Sequence, residues 1–356
     1  MTHAAQDRIA RLADVATEAG VSQGTVSNVF NRPDIVRPDL RERVHAAAQR
    51  LGYTGPDPKG RLLRAGKVNA IGVATTQPLS YFFDDPFARA IMSEISRACD
   101  DNGCGISLIS SRNEEVLSWN IGSALVDGLI LFCLTGTETL IARANERGLP
   151  SIALAFGNTG QDVPAIDVDN VEGGRKAATH LADLGHRRFA ILALEFVDGG
   201  VGRRTRAEIA AATRFTARDR VFGSFDVLSA RGIDVSTIPV FETSEKVGSV
   251  ASALETLFAE ADPPTAIIAQ SDLIAMIALE WFANRGISVP EDVSIIGFDG
   301  VPEAAETTPP LTTIAQPIAE IGRQAVASIL DPTERATRRL LDTTLVVRAS
   351  TAPPKG

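Results

Sequence analysis

The segment Leu12–Asn31, LADVATEAGVSQGTVSNVFN, restricts the possible folds of this chain more than any other stretch. Leu12, Val15, Ala16 and Ala19 fall on one face at helical spacing, and Val26, Val29 and Phe30 do so again after a gap. Between the two runs, Ala19-Gly20-Val21-Ser22 supplies a turn. Gly20 takes a positive φ at little steric cost, and Ser22 is suited to cap the second helix. Two helices joined this way lay the second in a DNA major groove. The residues turned from its apolar face, Gln23, Gly24, Thr25, Ser27 and Asn28, are small or amide-bearing and suit base edges and phosphates rather than catalysis. The plain alternative is a helical hairpin with a polar face. A third helix is expected from Arg37-Pro38-Asp39, with Leu40, Val44, Ala47, Ala48 and Leu51 closing a three-helix core.

Charge distribution favours the DNA reading. The net charge of the 356 residues is −9, but residues 1–67 hold 11 Lys and Arg against 7 Asp and Glu, whereas the rest hold 24 against 37. A basic head on an acidic body directs a polyanion to one end. Three cysteines, Cys99, Cys104 and Cys133, lack metal-ligand spacing and read as reduced core thiols. No charged-then-apolar leader and no membrane-length apolar run is seen, so the expectation is a cytoplasmic protein without membrane contact. After Tyr53 the composition shifts to Thr-Gly-Pro-Asp-Pro-Lys-Gly-Arg-Leu-Leu-Arg-Ala-Gly-Lys, a linker in which Asp57-Pro58 could start a short helix weakened by Gly60.

From Val68 onward, β-branched runs alternate with amphipathic ones. Strands are expected at Ala70–Thr75, Ile106–Ile109, Gly128–Phe132, Ile152–Ala155, Phe189–Leu194, Ala266–Ala269 and Val293–Phe298. Helices such as Pro86–Asn102, Val171–Leu184, Lys246–Ala261 and Leu273–Arg285 fit between them. The alternation predicts parallel sheets covered by helices on both faces, with a frayed Pro-rich tail after Ser350.

Several of these segments resemble the LacI/GalR family of bacterial transcription regulators. Thr25-Val26-Ser27…Asn31 and Leu51-Gly52-Tyr53 resemble its headpiece. Val126-Asp127-Gly128, His180-Leu181-Ala182-Asp183-Leu184-Gly185-His186-Arg187, Val289–Asp299 and Pro309–Ile314 resemble signatures of its body. The resemblance implies an all-α helix-turn-helix headpiece over 1–54, a hinge helix over 55–67, and a two-lobed α/β domain like periplasmic binding proteins over 68–350. Lobe 1 would span about 68–166 and 316–339, lobe 2 about 167–315 and 340–350. It further implies that Leu63 wedges into the minor groove, and that Ser22, Gln23, Gly24, Thr25, Ser27, Asn28 and Asn31 meet a pseudo-palindromic double-stranded operator. In the inter-lobe cleft it places Arg220 and Asp299, with Phe82, Phe83, Ser271-Asp272 and Gln316 lining it. Arg214-x-Thr216-x-x-x-Arg220 resembles the purine-binding member, whereas Ala155-Phe156 stands where relatives often carry an acceptor Asp. Gly60 stands where relatives usually have Ala.

Enzyme chemistry finds little support. Gly200-Val201-Gly202 starts like a dinucleotide loop but lacks the third glycine, and no phosphate loop or nucleophile motif is present. His180 and His186 are spaced for helix-end hydrogen bonds rather than for a metal. The expectation is therefore a ligand-responsive repressor, homodimeric or tetrameric, acting on DNA and a small-molecule effector without cofactor or metal. A solute receptor without DNA function is the alternative from another class.

Overall fold

The computed structural model describes residues 10–55, 67–132, 137–155, 164–334 and 338–355. They form two units, divided between Val68 and Asn69. Leu63 and most of the expected hinge lie outside the described residues, as does Cys133.

The first unit is α1 (Leu12–Ala19), α2 (Gln23–Asn31) and α3 (Pro38–Arg50). Gly20 ends α1 at φ 63°, and the Ser22 hydroxyl caps α2 by accepting from Thr25 N at 3.1 Å. Val15, Ala16, Ala19, Val26, Val29, Val44, Ala47 and Ala48 make the core. Arg43 Nη2 fastens α3 to the turn by donating to Ala19 O at 2.6 Å. Leu51 departs from the expected stripe. It follows the last turn of α3 as its C-terminal cap and is 37% exposed.

The second unit has two lobes. Strands β1 (Ala70–Thr75), β2 (Gly105–Ser110), β3 (Gly128–Phe132), β4 (Ser151–Leu154) and β5 (Ala165–Val168) belong to lobe 1. Lobe 2 takes β6 (Phe189–Ala193), β7 (Gly202–Arg204), β8 (Val240–Glu242), β9 (Ala266–Ala269), β10 (Ser294–Asp299) and β11 (Thr312–Ala315). The chain then returns β12 (Arg338–Leu341) to lobe 1 and β13 (Thr344–Val346) to lobe 2. The sheet orders are β12-β5-β4-β3-β1-β2 and β13-β11-β10-β9-β6-β8-β7. Every lobe 1 pairing is parallel, while lobe 2 ends in antiparallel edges at β7–β8 and β11–β13.

Lobe 1 carries α4 (Tyr81–Asp84), α5 (Pro86–Asp101), α6 (Glu114–Ser123) and α7 (Thr137–Glu146). Lobe 2 carries α8 (Asn170–Asp183), α9 (Arg206–Ala210), α10 (Phe215–Ala230), α11 (Val247–Phe258) and α12 (Asp272–Arg285), and α13 (Ile318–Leu330) packs back on α5. Crossings between lobes follow β5, β11 and β12. The first and third lie slightly beyond the expected 167 and 340, because the parallel register runs on through Asp167↔Leu340 and Val168↔Leu341.

The C-terminal tail is not frayed. Ser350 is fully buried, donating to Ile295 O at 2.6 Å and accepting from Thr312 N at 2.8 Å. His186 meets Ala352 O at 2.9 Å, and His180 meets Thr351 at 2.9 Å. Both imidazoles thus serve as the expected hydrogen-bonding groups, each meeting the tail, while His186 also meets Thr265 Oγ1 at 3.0 Å.

One close approach sets the geometry of lobe 2. Helices α8 and α10 pack backbone to backbone: a Cβ on Gly174 would collide with Arg220 O, and one on Gly223 with Val171 O. Gly223→Ala should therefore force the helices apart and cost about 1–3 kcal/mol. Gly248→Ala on α11 meets nothing within 4 Å, and should be neutral or stabilising by up to about 1 kcal/mol. Urea unfolding midpoints of the two variants check this.

Candidate DNA interface and effector cleft

On α2, Ser22, Gln23, Gly24, Asn28 and Asn31 are exposed, while Thr25 and Ser27 are half-buried. The hydroxyls of Ser22 and Thr25 lie 2.9 Å apart, and Asn31 Nδ2 donates to Ser27 O at 2.9 Å and to Ser27 Oγ at 3.2 Å. Four of the seven expected contact residues are thus paired with each other along the helix. The amides of Gln23 and Asn28 make no hydrogen bond among the described residues, which leaves two amides able to pair bidentately with adenine.

The cleft residues converge on lobe 2. Arg220, from α10, is only 5% exposed. Its Nε donates to Asn170 Oδ1 at 2.9 Å, its Nη1 donates to Gln270 O, and its guanidinium carbon lies 3.5 Å from the centroid of the Phe298 ring. Asp299, at the end of β10, sits 3.9 Å from Nη1 and accepts from Gln316 Nε2 at 2.8 Å. Arg220 and Asp299 both belong to lobe 2, as the expected lobe bounds place them, and they form one wall of the cleft. Arg220 Nη2 has no hydrogen-bond acceptor among the described residues.

Ser271 caps α12 by accepting from Ile274 N at 3.1 Å and donates to Glu245 Oε1 at 3.0 Å. Burial lifts the Asp299 carboxyl well above the ordinary carboxylate range, against the pull of Arg220 and with a further push from Asp272 and Asp85. Glu245 is pushed up to about 7 by burial and then by Asp85, against the Ser271 hydroxyl. Glu245 and Asp299 also hold positive φ values of 57° and 124°, backbone strain of the kind that collects at functional sites.

Other expected lining residues are placed differently. Phe82 is 2% exposed and packs its ring against Phe132 at 6.1 Å, in the core of lobe 1, whereas Phe83 is 63% exposed. Arg214 is held by Asp198, Nε to Oδ1 at 3.0 Å, and by Glu195 at 3.4 Å. Thr216 is half-buried in the first turn of α10. Asp272 is a brace: its carboxylate accepts from Gly300 N at 2.7 Å, Val301 N at 2.9 Å and Thr313 Oγ1 at 2.6 Å, shaping the turn after β10. Gly202–Arg204 is an edge strand joined to the five-residue α9, not a nucleotide loop.

Four residues were not anticipated: Asp85, Asn170, Glu245 and Gln270. Asp85 had a signal, since Asp before Pro86 is a helix start, and its carboxylate indeed caps α5 by accepting from Ala88 N at 2.7 Å. Asp85 belongs to lobe 1, and burial raises its carboxyl as well. At the rim, Arg89 of α5 reaches across to pair with Glu303 of lobe 2 and donates to Phe83 O at 2.8 Å. The second Glu303 oxygen is buried without a partner among the described residues. A cavity of about 390 Å³ lined by Glu172, Lys176, His180 and Leu345 contains none of the cleft residues. Among the described residues no group of three or more His, Cys, Asp or Glu is placed to hold a metal, and no helix is long and apolar enough to cross a membrane.

Residues 11–55 match the bacterial regulatory proteins of the lacI family, and residues 178–351 match the periplasmic binding protein-like domain. An HTH-type transcriptional regulator of Mycobacterium tuberculosis is 33% identical over 98% of this chain and 98% of its own length. The structure of a complex of the transcriptional regulator CelR with cellobiose covers 96% of this chain and 99% of its own, with a TM-score of 0.68 and 28% identity. The lac repressor dimer bound to operator and an anti-inducer covers 97% of this chain and 100% of its own, with a TM-score of 0.73 and 26% identity. The chain belongs to the LacI family of bacterial transcription regulators, DNA-binding proteins with an effector domain and not enzymes.

Glu245 makes a pH prediction. Its folded value lies above the unfolded one, so the folded protein keeps a proton that the unfolded chain releases. Its favourable contribution is complete below about pH 4.5 and is lost as pH climbs through about 7. Moving a carboxyl from an ordinary 4.5 to about 7 corresponds to about 3 kcal/mol between its protonation states, at about 1.36 kcal/mol per pH unit. Glu245→Gln should flatten the fall in stability between pH 5 and 8, as read from denaturant midpoints across that range.

Proposed function

We propose that the protein is a repressor that works in the cytoplasm as a homodimer on a pseudo-palindromic duplex, its two α2 helices in adjacent major grooves. Gln23 and Asn28 read bases, Ser22, Thr25, Ser27 and Asn31 set the helix against phosphates, and Gly24 leaves its base pair loosely specified. Leu63 enters the minor groove at the centre of the site. A small polar ligand of the sugar or purine-nucleoside class binds between the lobes against Arg220, Ser271, Asp299 and Gln316, beside Phe83, Arg214 and Thr216. The observation that carries the ligand reading is the open Nη2 of Arg220. A guanidinium taken this far out of water normally has acceptors all round, and here one edge is left for an oxygen or nitrogen of a guest. The cellobiose complex of one neighbour supports a small-molecule ligand, and the operator complex of another supports DNA as the target.

Selection of binders from a pool of random duplexes tests the DNA part: one enriched motif with two inverted half-sites is expected, and no enrichment would contradict it. Asn28→Ala should relax preference at one symmetric position by about 1–3 kcal/mol per half-site, measured by competition titration on the selected site. For the cleft, Arg220→Ala removes charge-assisted hydrogen bonds worth about 1.5–3 kcal/mol each. Ligand affinity should therefore fall by at least about tenfold, read by calorimetry with any compound that stabilises the wild type.

A further inference from the structure

We propose that lobe 2 carries a second ligand site, on the outer face of α8, which takes a small organic monocarboxylate with an apolar body. The cavity of about 390 Å³ lies there, between α8 and the edge strand β13, and shares no lining residue with the cleft. Glu172, Lys176, Thr179 and Asp183 form its helix wall at the three- and four-residue spacing that puts side chains on one face.

The polar groups of this wall are unequally engaged. Asp183, at one end, pairs with Arg231 at 2.5 Å. Glu172, at the other, lies 3.7 Å from Arg175, which also meets Asp226 at 2.8 Å. Lys176, between them, is half-buried and has no carboxylate at ion-pair distance among the described residues. One of its three N–H groups donates to Thr343 O at 2.7 Å, which leaves two without an acceptor among the described residues. The Thr179 hydroxyl, one turn on, makes no hydrogen bond among them either. A carboxylate matches this pair, since its two oxygens can accept from the ammonium and the hydroxyl together. Half-buried Leu184 and Leu345 supply apolar surface for the rest of the molecule. A phosphate monoester fits less well, because its second charge would face the Glu172 and Asp183 carboxylates.

The site adjoins the third crossing between the lobes. Thr343, whose carbonyl Lys176 holds, lies between β12 and β13, and its hydroxyl is buried without a partner among the described residues. A guest at Lys176 therefore touches the helix whose first residue, Asn170, accepts from Arg220.

The test uses the full-length chain and fluorine NMR of para-fluorobenzoate, with para-fluorobenzamide and para-fluorophenyl phosphate as its neutral and dianionic counterparts. The benzoate should show saturable line broadening, and the other two should bind at least about tenfold more weakly. Lys176→Gln keeps a donor for Thr343 O, and Thr179→Glu adds a carboxylate to the wall; each should weaken the benzoate by at least about tenfold. Arg220→Ala, which removes the guanidinium of the cleft, should not change its affinity. Broadening that persists in both α8 variants would overturn the site, and broadening abolished by Arg220→Ala would put the probe in the cleft instead. An amide that binds as tightly as the benzoate would overturn the assignment of a carboxylate, and a phosphate that does so would overturn the limit to one charge. Absence of saturable benzoate binding to the wild type would overturn the proposal outright.

Discussion

Much of the body depends on keeping one guanidinium, that of Arg220, out of water. Taking an arginine that far into the protein is unfavourable unless its N–H groups find acceptors and its charge finds a counter-charge. The fold meets those demands from four directions: Asn170 at the start of α8, the Gln270 carbonyl after β9, Asp299 at the end of β10, and the Phe298 ring beneath. None of this works unless α10 lies directly on α8, and the glycines at 174 and 223 permit that approach. The same contact that packs lobe 2 therefore also fixes where the Arg220 guanidinium points.

Lobe 1 answers with charge of the opposite kind from what a simple salt bridge would need. Asp85 of lobe 1 makes Glu245 and Asp299 of lobe 2 harder to ionise, while Arg89 and Glu303 pair across the rims with side chains that remain partly in water. Exposed pairs of this sort are worth about 0–1 kcal/mol. This rim pair alone therefore does little to fix one arrangement of the lobes, and a guest that contacts both lobes can favour another. A ligand shifts such an equilibrium only by its differential affinity for the two arrangements. Any arrangement that also differs in DNA affinity then becomes ligand-sensitive.

How much of this was legible in the sequence follows from what each residue interacts with. The buried central strands showed as apolar runs, and β1, β3 and β9 occur at the expected bounds, since a strand covered on both faces has no polar side to blur it. The edge strands Gly202–Arg204 and Arg338–Leu341 were invisible because half their surface meets solvent and their arginines are spent on Glu242 and Asp167. Leu51 looked like core because it keeps helical spacing, but the helix stops before it. In the cleft, family resemblance singled out Arg220, Asp299 and Gln316, and the structure brings their side chains together. The resemblance could not show that Phe82 turns inward or that Arg214 is claimed by its neighbours. Glu245 carried no local signal: its role arises from a strained backbone and from Ser271 and Asp85, which only folding brings near. In the headpiece the caps and apolar faces were readable one by one, whereas the pairing of Ser22 with Thr25 and of Ser27 with Asn31 required coordinates.

The central claim is that cleft and DNA surface belong to one equilibrium. Linkage requires that whatever factor the ligand applies to operator affinity, the operator applies to ligand affinity. The direct measurement is the Kd of a compound that stabilises the wild type, for the free protein and for the protein saturated with its selected operator, by calorimetry at one salt concentration. A ratio of about 5-fold or more is expected, in the range of ordinary allosteric coupling, matched by the same ratio in operator Kd with and without that compound. Equal ligand affinities in the two states would contradict it.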